Sequence, residues 1–113
     1  MYLYIIRERE FINTNENIYK FNYTDKNINL FMSKIPKNSN IFLFTYINDD
    51  DINIYSIIIN KFKKYFNQRT DINESYFEGD ISLMIEIINY YLYNSVYNKY
   101  KNIIKDNIYW WDD

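Results

Sequence analysis

Two runs of β-forming residues open the chain. Residues 2–6 and 18–24 are rich in tyrosine, isoleucine and phenylalanine, which favour strands. The residues between them, 13–17, are asparagine, threonine and glutamate, which favour turns. The pattern therefore predicts a β-hairpin with a long connection.

The next segment changes to the period of a helix. Its apolar residues follow one another at spacings of three and four, which places them on one helix face. They are Ile28, Phe31, Met32 and Ile35. Thr24 or Asp25 is expected to cap the start of this helix. Pro36 is expected to end it, because the residue before a proline is disfavoured in the α region.

A third apolar run, residues 41–47, is short and aromatic and predicts a buried strand. Asp49, Asp50 and Asp51 follow it and suit the negatively charged first turn of a second helix. The apolar stripe of that helix is Ile54, Ile58, Phe62 and Tyr65.

A long helical stripe begins at Ile81 and continues past Ile103 without proline or glycine. A helix of about 25 residues is about 37 Å long, which exceeds what a compact domain of this size can cover. Part of its apolar face should therefore fold back on the domain or meet another chain. The aromatic tail that follows poses the same choice, since tryptophan and tyrosine are enriched at binding hot spots. The candidate binding residues here are Tyr100, Tyr109, Trp110 and Trp111.

These elements predict an α+β fold. We expect a small three-stranded antiparallel sheet flanked by helices, in the order ββαβαα, with an extended C-terminal helix. The length of 113 residues suits one domain, expected over residues 1–90, with residues 91–113 as a helical extension.

Several short motifs, in this order, resemble those of the GIY-YIG endonuclease superfamily. The similarity is strongest to the branch of large DNA viruses and phages whose second motif reads Lys-Ile-Gly, and it covers about residues 2–90. The matching motifs are Tyr2-Leu3-Tyr4, Lys20-Phe21-Asn22 followed by Thr24, Pro36-Lys37-Asn38-Ser39, Gln68-Arg69-Thr70-Asp71-Ile72 and Tyr76-Phe77-Glu78-Gly79-Asp80. The resemblance implies a nuclease scaffold, with Tyr4 at the position of the family's tyrosine.

The residues that carry cleavage in the family are altered. The resemblance places a phosphate-binding arginine near Phe31, where the nearest cations are Lys26 and Lys34. A lysine cannot form the planar, bidentate clamp of an arginine. The resemblance places a metal-binding glutamate within residues 55–57, which contain no acid, and a glycine at Asn22. We therefore expect no catalysis and no metal site.

The remaining candidate catalytic residues are vestigial. The chain has no histidine and no cysteine, so it lacks the commonest general base, zinc ligands and a thiol nucleophile. Carboxylates, lysines and tyrosines are left, and the candidates are Tyr4, Tyr19, Lys20, Lys26 and Glu78. Glu78 is better explained by a turn and helix cap around Gly79, and the tyrosines are more often half-buried strand residues. Mg²⁺ is expected only if the chain is a nuclease.

Charge limits the partners. The chain has 13 basic and 15 acidic residues, whereas proteins that hold duplex DNA through its phosphates need a basic face. Lys61 and Lys64 belong to a local basic cluster that permits nucleic-acid binding but equally suits a solvated helix face. The sequence has no apolar stretch of about twenty residues, and we expect an intracellular protein in the host cytoplasm or nucleus, away from membranes.

Two functions remain open at this point. One is a non-catalytic viral protein of GIY-YIG type, acting as an interaction module for a protein, for itself through the C-terminal helix, or for nucleic acid. The other is a divergent, metal-dependent DNA endonuclease with a rearranged active site.

Overall fold

The computed structural model describes the backbone of residues 1–107 and the side chains of residues 1–94. It contains one sheet and four α-helices within this range. The strands are β1 (Tyr2–Arg7), β2 (Ile18–Thr24), β3 (Asn40–Tyr46), β4 (Asn67–Gln68) and β5 (Tyr76–Glu78). The helices are α1 (Arg9–Asn13), α2 (Ile28–Lys34), α3 (Asn53–Tyr65) and α4 (Ile81–Asn107), with a 3₁₀ turn at Asp49–Asp51.

The sheet has five strands in the order β3-β1-β2-β5-β4, and every neighbouring pair is antiparallel. The prediction of a three-stranded sheet in the order ββαβαα is therefore wrong, although the α+β character holds. The two missed strands, β4 and β5, are two and three residues long. Their extended conformation depends on pairing with β2 and with each other, which a short local pattern does not reveal.

The side chains of β1 are buried on both faces of the sheet. Because successive side chains point to opposite faces, they pack into two different layers of the molecule. Leu3 and Ile5 belong to the main core, beneath α3 and α4; we call this side of the sheet the core face. Tyr4 and Ile6 belong to a second cluster with Phe31 of α2; we call this side the α2 face.

The main core confirms part of the stripe predicted for α3 and the described start of the stripe of α4, whereas Tyr65 of the predicted stripe is 56% exposed. Ile54, Ile58 and Phe62 of α3 are buried against Met84 and Ile88 of α4. In addition, the rings of Phe21 and Phe77 from the sheet lie 5.0 and 5.3 Å from that of Phe62, centroid to centroid. Burial of such side chains is the main stabilising contribution to the fold.

Two helix starts differ from the prediction. Asp49, Asp50 and Asp51 form a separate 3₁₀ turn, and α3 begins only at Asn53 with no acid in its first turn. Asn27, not Thr24 or Asp25, caps α2, because its side chain accepts a hydrogen bond from the N–H of Leu30 at 3.0 Å. Thr24 is still part of β2. The end of α2 is as predicted, since Ile35 before Pro36 is extended.

The strand β3 lies at the edge of the sheet, so the prediction of a buried strand is wrong. Phe42 is 38% exposed and Tyr46 is 62% exposed. An apolar composition is shared by central strands and by edge strands that bind other surfaces, so it does not distinguish them.

The helix α4 continues through residue 90, where the C-terminal extension was expected to begin. Its 27 residues correspond to a length of about 40 Å. None of the helices described within residues 1–107 combines the length and the apolar composition needed to span a membrane.

Candidate functional site

Tyr4 and Lys20 lie on the same face of the sheet. In the antiparallel register, Tyr4 pairs with Asn22, and Lys20 pairs with Ile6 on one side and Tyr76 on the other. Residues paired across neighbouring strands point to the same face. The α2 face therefore brings together Tyr4, Lys20 and Tyr76.

Tyr19, a second predicted catalytic residue, lies on the opposite face. It is 4% exposed and belongs to the main core, with its ring edge-on to that of Phe42 at 5.5 Å. The guanidinium of Arg7 lies 5.9 Å from the Tyr19 ring. Because adjacent residues of a strand point to opposite faces, Tyr19 cannot act together with Lys20.

Phe31 covers Tyr4. The centroids of the two rings are 4.5 Å apart, and the Phe44 ring lies 5.1 Å from that of Phe31. Tyr4 is 6% exposed as a result. Burial, followed by the influence of Tyr55 and Glu8, raises the pKa of Tyr4 to about 12.

Glu8 and Tyr76 form a hydrogen-bonded pair on this face that the sequence analysis missed. The Tyr76 hydroxyl donates to Glu8 Oε1 at 2.5 Å, and Lys20 Nζ lies 5.8 Å from the centre of the Tyr76 ring. Burial and this bond to Glu8 hold the pKa of Tyr76 well above its usual range. One signal was available: Glu8 continues the two-residue period of Tyr4 and Ile6 along β1.

A pocket of about 360 Å³ opens beside this pair. It is lined by Glu8, Arg9, Glu10, Pro36 and Tyr76. Mg²⁺ takes carboxylate oxygens in near-octahedral geometry. Glu8 Oε1 already accepts from the Tyr76 hydroxyl, and Glu10 is exposed. Among the described residues, no three acidic side chains are grouped to hold a metal ion.

Asn22, which stands where the resemblance implies a glycine, has a structural contact. Its Nδ2 donates to the hydroxyl of buried Ser75 at 3.0 Å, and the Ser75 carbonyl accepts from the N–H of Phe21. Among non-glycine residues in the described part, positive φ occurs at Asn15 and Asn38, not at Asn22. Asn22 therefore fixes the segment that leads into β5.

Glu78 lies in the strand β5 rather than in a turn, and its carboxylate forms an ion pair with Arg69. Arg69 Nη1 donates to Glu78 Oε1 at 3.2 Å, and Arg69 Nη2 donates to Asp71 at 2.8 Å. The guanidinium lowers the pKa of the Asp71 carboxyl. Arg69 is thus compensated by two acids and does not extend a basic surface.

The predicted lysines lie apart from one another. Lys26 is exposed in the loop between β2 and α2, where its backbone N–H donates to Thr24 Oγ1 at 3.1 Å. Lys64 Nζ lies 5.6 Å from the centre of the Tyr65 ring at the end of α3. Lys61 lies one helical turn earlier, on the side of α3 that faces α4.

A groove of about 540 Å³ lies between α3 and α4, and we call it the α3–α4 groove. Its lining is mainly apolar and aromatic, and Tyr65, Leu83 and Tyr90 are exposed. The lining residues are Lys61, Tyr65, Leu83, Glu86, Ile87, Tyr90 and Tyr91. One predicted binding residue, Lys61, therefore lies in a groove rather than on an open helix face.

The remaining predicted binding residues lie outside the described side chains. Tyr100 belongs to the backbone of α4 without a described side chain, and Tyr109, Trp110 and Trp111 lie beyond the described residues. No protein-family model, no curated protein and no solved structure matches this chain.

Proposed function

We propose that this chain is a non-catalytic viral relative of the GIY-YIG endonucleases that acts as an interaction module inside the host cell, in the cytoplasm or nucleus. Its binding surface is the α3–α4 groove, extended by the C-terminal helix. The observation that carries the proposal is the position of Phe31 over Tyr4.

The closed α2 face disfavours catalysis for two reasons. A phenylalanine ring offers no charge to a phosphate at the place where the resemblance implies an arginine, and phosphoryl transfer depends on such charge stabilisation. In addition, a general base works best with a pKa near the working pH, whereas that of Tyr4 is about 12. Tyr4 is therefore a structural residue here.

The α3–α4 groove favours binding of a protein segment. Exposed aromatic and aliphatic side chains next to one another are costly in water and typically mark interaction sites. Tyr65 and Tyr90 supply rings, and Lys61 and Glu86 supply one charge of each sign. A groove between two helices with this lining fits the apolar face of an amphipathic helix.

Selection from a displayed library of amphipathic helical peptides tests the groove directly. We expect peptides that bind the full chain and the control variant Met32→Glu, whose substitution lies on exposed α2. The same peptides should lose binding to Leu83→Glu, which places a charge in the groove. Equal binding to all three proteins, or no enrichment on any, would refute the groove as the binding surface.

Nucleic acid is a weaker candidate partner. The cation Arg69 is compensated by Asp71 and Glu78, and Lys61 shares its groove with Glu86. Binding through phosphates should fall steeply with salt, so fluorescence anisotropy of single-stranded and duplex oligonucleotides at two ionic strengths measures this contribution. We expect neither oligonucleotide to show binding that weakens with salt. Lys61→Ala and Lys64→Ala should therefore cause no loss of binding.

A second candidate function, a divergent metal-dependent DNA endonuclease, is favoured by one observation. Glu8, Lys20 and Tyr76 gather beside a pocket on the α2 face, next to Tyr4. In that case Lys20 would face the phosphate and Glu8 would accept a proton. Cleavage lost in Glu8→Gln and in Lys20→Ala would favour this candidate over the interaction module.

A further inference from the structure

The outer side of β3 is an open sheet edge. This strand pairs with β1 on one side, and the described part of the chain supplies no strand on the other. Its seven residues, Asn40–Tyr46, include no charged side chain and no proline. Natural proteins usually protect edges with those residues, so an edge that lacks both is a site for pairing with another strand.

The register identifies which backbone groups of β3 point outward. The Ile47 N–H donates to the Met1 carbonyl at 2.9 Å, so this pair is hydrogen-bonded. Bonded and non-bonded pairs alternate along antiparallel strands, which leaves the N–H and C=O groups of Phe44 and Tyr46 facing away from β1. The backbone hydrogen bonds described for turns, loops and caps do not use those groups.

The side chains hold this edge in place and leave it accessible. The Tyr2 ring stacks on that of Phe44 with centroids 4.7 Å apart, and it meets Tyr46 edge-on at 5.6 Å. Phe42 and Tyr46 are exposed. A β-bulge against β1 lies between the pairs of Ile5 and Ile6, nearer the start of β3, and leaves the Phe44–Tyr46 end regular.

Opposite charges flank the uncharged strand. Lys34 and Lys37 are exposed before its start, and Asp49 and Asp50 are exposed after its end. Lys37 precedes Phe44 by seven residues, and Asp51 follows it by seven. A two-fold axis near Phe44 would therefore place the basic end of each strand beside the acidic end of the other strand, at both ends of the interface. A parallel arrangement would oppose like charges.

We propose that β3 pairs with β3 of a second copy of this chain, antiparallel and centred near Phe44. The two five-stranded sheets then form one continuous sheet across the interface. This isologous contact is self-complementary in backbone hydrogen bonding, in apolar surface and in charge. It uses a surface separate from the α3–α4 groove, so it extends beyond the proposed function.

Sedimentation equilibrium of the full chain over a range of concentrations tests the pairing. We expect a mass of about twice 14.1 kDa at high concentration and dissociation on dilution. Tyr46→Lys, which puts a charge on the exposed edge, should give the monomer mass. The matched control Met32→Lys, at an exposed position of α2, should leave the dimer unchanged. A monomer up to about 1 mM, the weak end of specific affinities, would overturn the proposal, as would a dimer that Tyr46→Lys leaves intact.

A charge exchange tests the orientation of the two strands. Lys37→Glu and Asp51→Lys should each weaken the dimer by about tenfold, since each removes two symmetry-related attractions of surface strength. The double variant should restore the affinity, because the exchanged charges meet again across the axis. Single variants without effect, or a double variant weaker than both, would overturn the antiparallel register. Circular dichroism of each variant establishes that it is folded.

Discussion

The ring of Phe31 lies 4.5 Å from the ring of Tyr4, centroid to centroid, at the position where the resemblance to GIY-YIG endonucleases implies a phosphate-binding arginine. The contact turns a face that would hold substrate in a nuclease into a small hydrophobic cluster with Ile6. Under the proposed function, Phe31 contributes to stability and Tyr4 takes no part in catalysis.

Removal of the Phe31 ring should destabilise the protein. Phe31 is buried against Tyr4 and Phe44, so we expect Phe31→Ala to lower the free energy of unfolding by about 3–5 kcal/mol. Phe31→Leu, which retains most of the volume, should cost less than half of that. Urea unfolding followed by circular dichroism measures both, and equal, small losses would show that the ring is not part of the core.

The hydrogen bond between the Tyr76 hydroxyl and Glu8 should stabilise the folded protein. Tyr76→Phe removes the hydroxyl that donates to Glu8 at 2.5 Å, and we expect a loss of about 1.5 kcal/mol in the free energy of unfolding. The control Tyr65→Phe, at an exposed position, should change the stability by less than about 0.5 kcal/mol. A Tyr76→Phe protein as stable as this control would contradict the assigned bond.

Stability should fall at alkaline pH. The folded-state pKa values of Tyr4 and Tyr76 are raised above the usual value of about 10, so between pH 10 and 12 the unfolded chain binds fewer protons than the folded chain. Their contribution is complete below pH 10 and is lost as the pH rises through the folded values. Unfolding at pH 8, 10 and 11 should show this decline, and Tyr4→Phe should make it shallower. An equal slope in both proteins would refute the role of Tyr4.

Gly79 has no room for a side chain. A Cβ at this position would lie 2.5 Å from Cδ1 of Phe66, an aromatic carbon in the buried cluster behind α3. We expect Gly79→Ala to destabilise by about 1–3 kcal/mol, and Phe66→Leu to recover part of the loss in the double variant. Thermal unfolding of the two single variants and the double variant gives this coupling. Additive effects would mean that the two residues do not compete for the same space.

The sequence predicts the local elements well where an apolar period is long. Ile54, Ile58 and Phe62 repeat over two turns, and alternation over residues 18–24 gives the bounds of β2. The strands β4 and β5 are too short to carry a period, and they become extended by pairing with distant residues. Edge or centre placement is a tertiary property, which is why the exposure of β3 was not foreseen.

The candidate site was only partly predictable for the same reason. Tyr4 and Lys20 follow from their motifs, and strand alternation already separates Tyr19 from them. The partner of Glu8 is Tyr76, 68 residues away, and no local pattern connects the two. Their pairing depends on β5 joining the sheet beside β2, which is set by the whole fold.

The most direct test of the central claim is a cleavage assay on the purified full chain. Supercoiled plasmid and single-stranded DNA are incubated with excess protein in Mg²⁺ and in Mn²⁺, and nicked and linear products are quantified over time beside Tyr4→Phe, Lys20→Ala and Glu8→Gln. The account predicts that all four proteins leave the DNA intact. Cleavage by the natural chain that disappears in Tyr4→Phe or Lys20→Ala would contradict it and establish the α2 face as an active site.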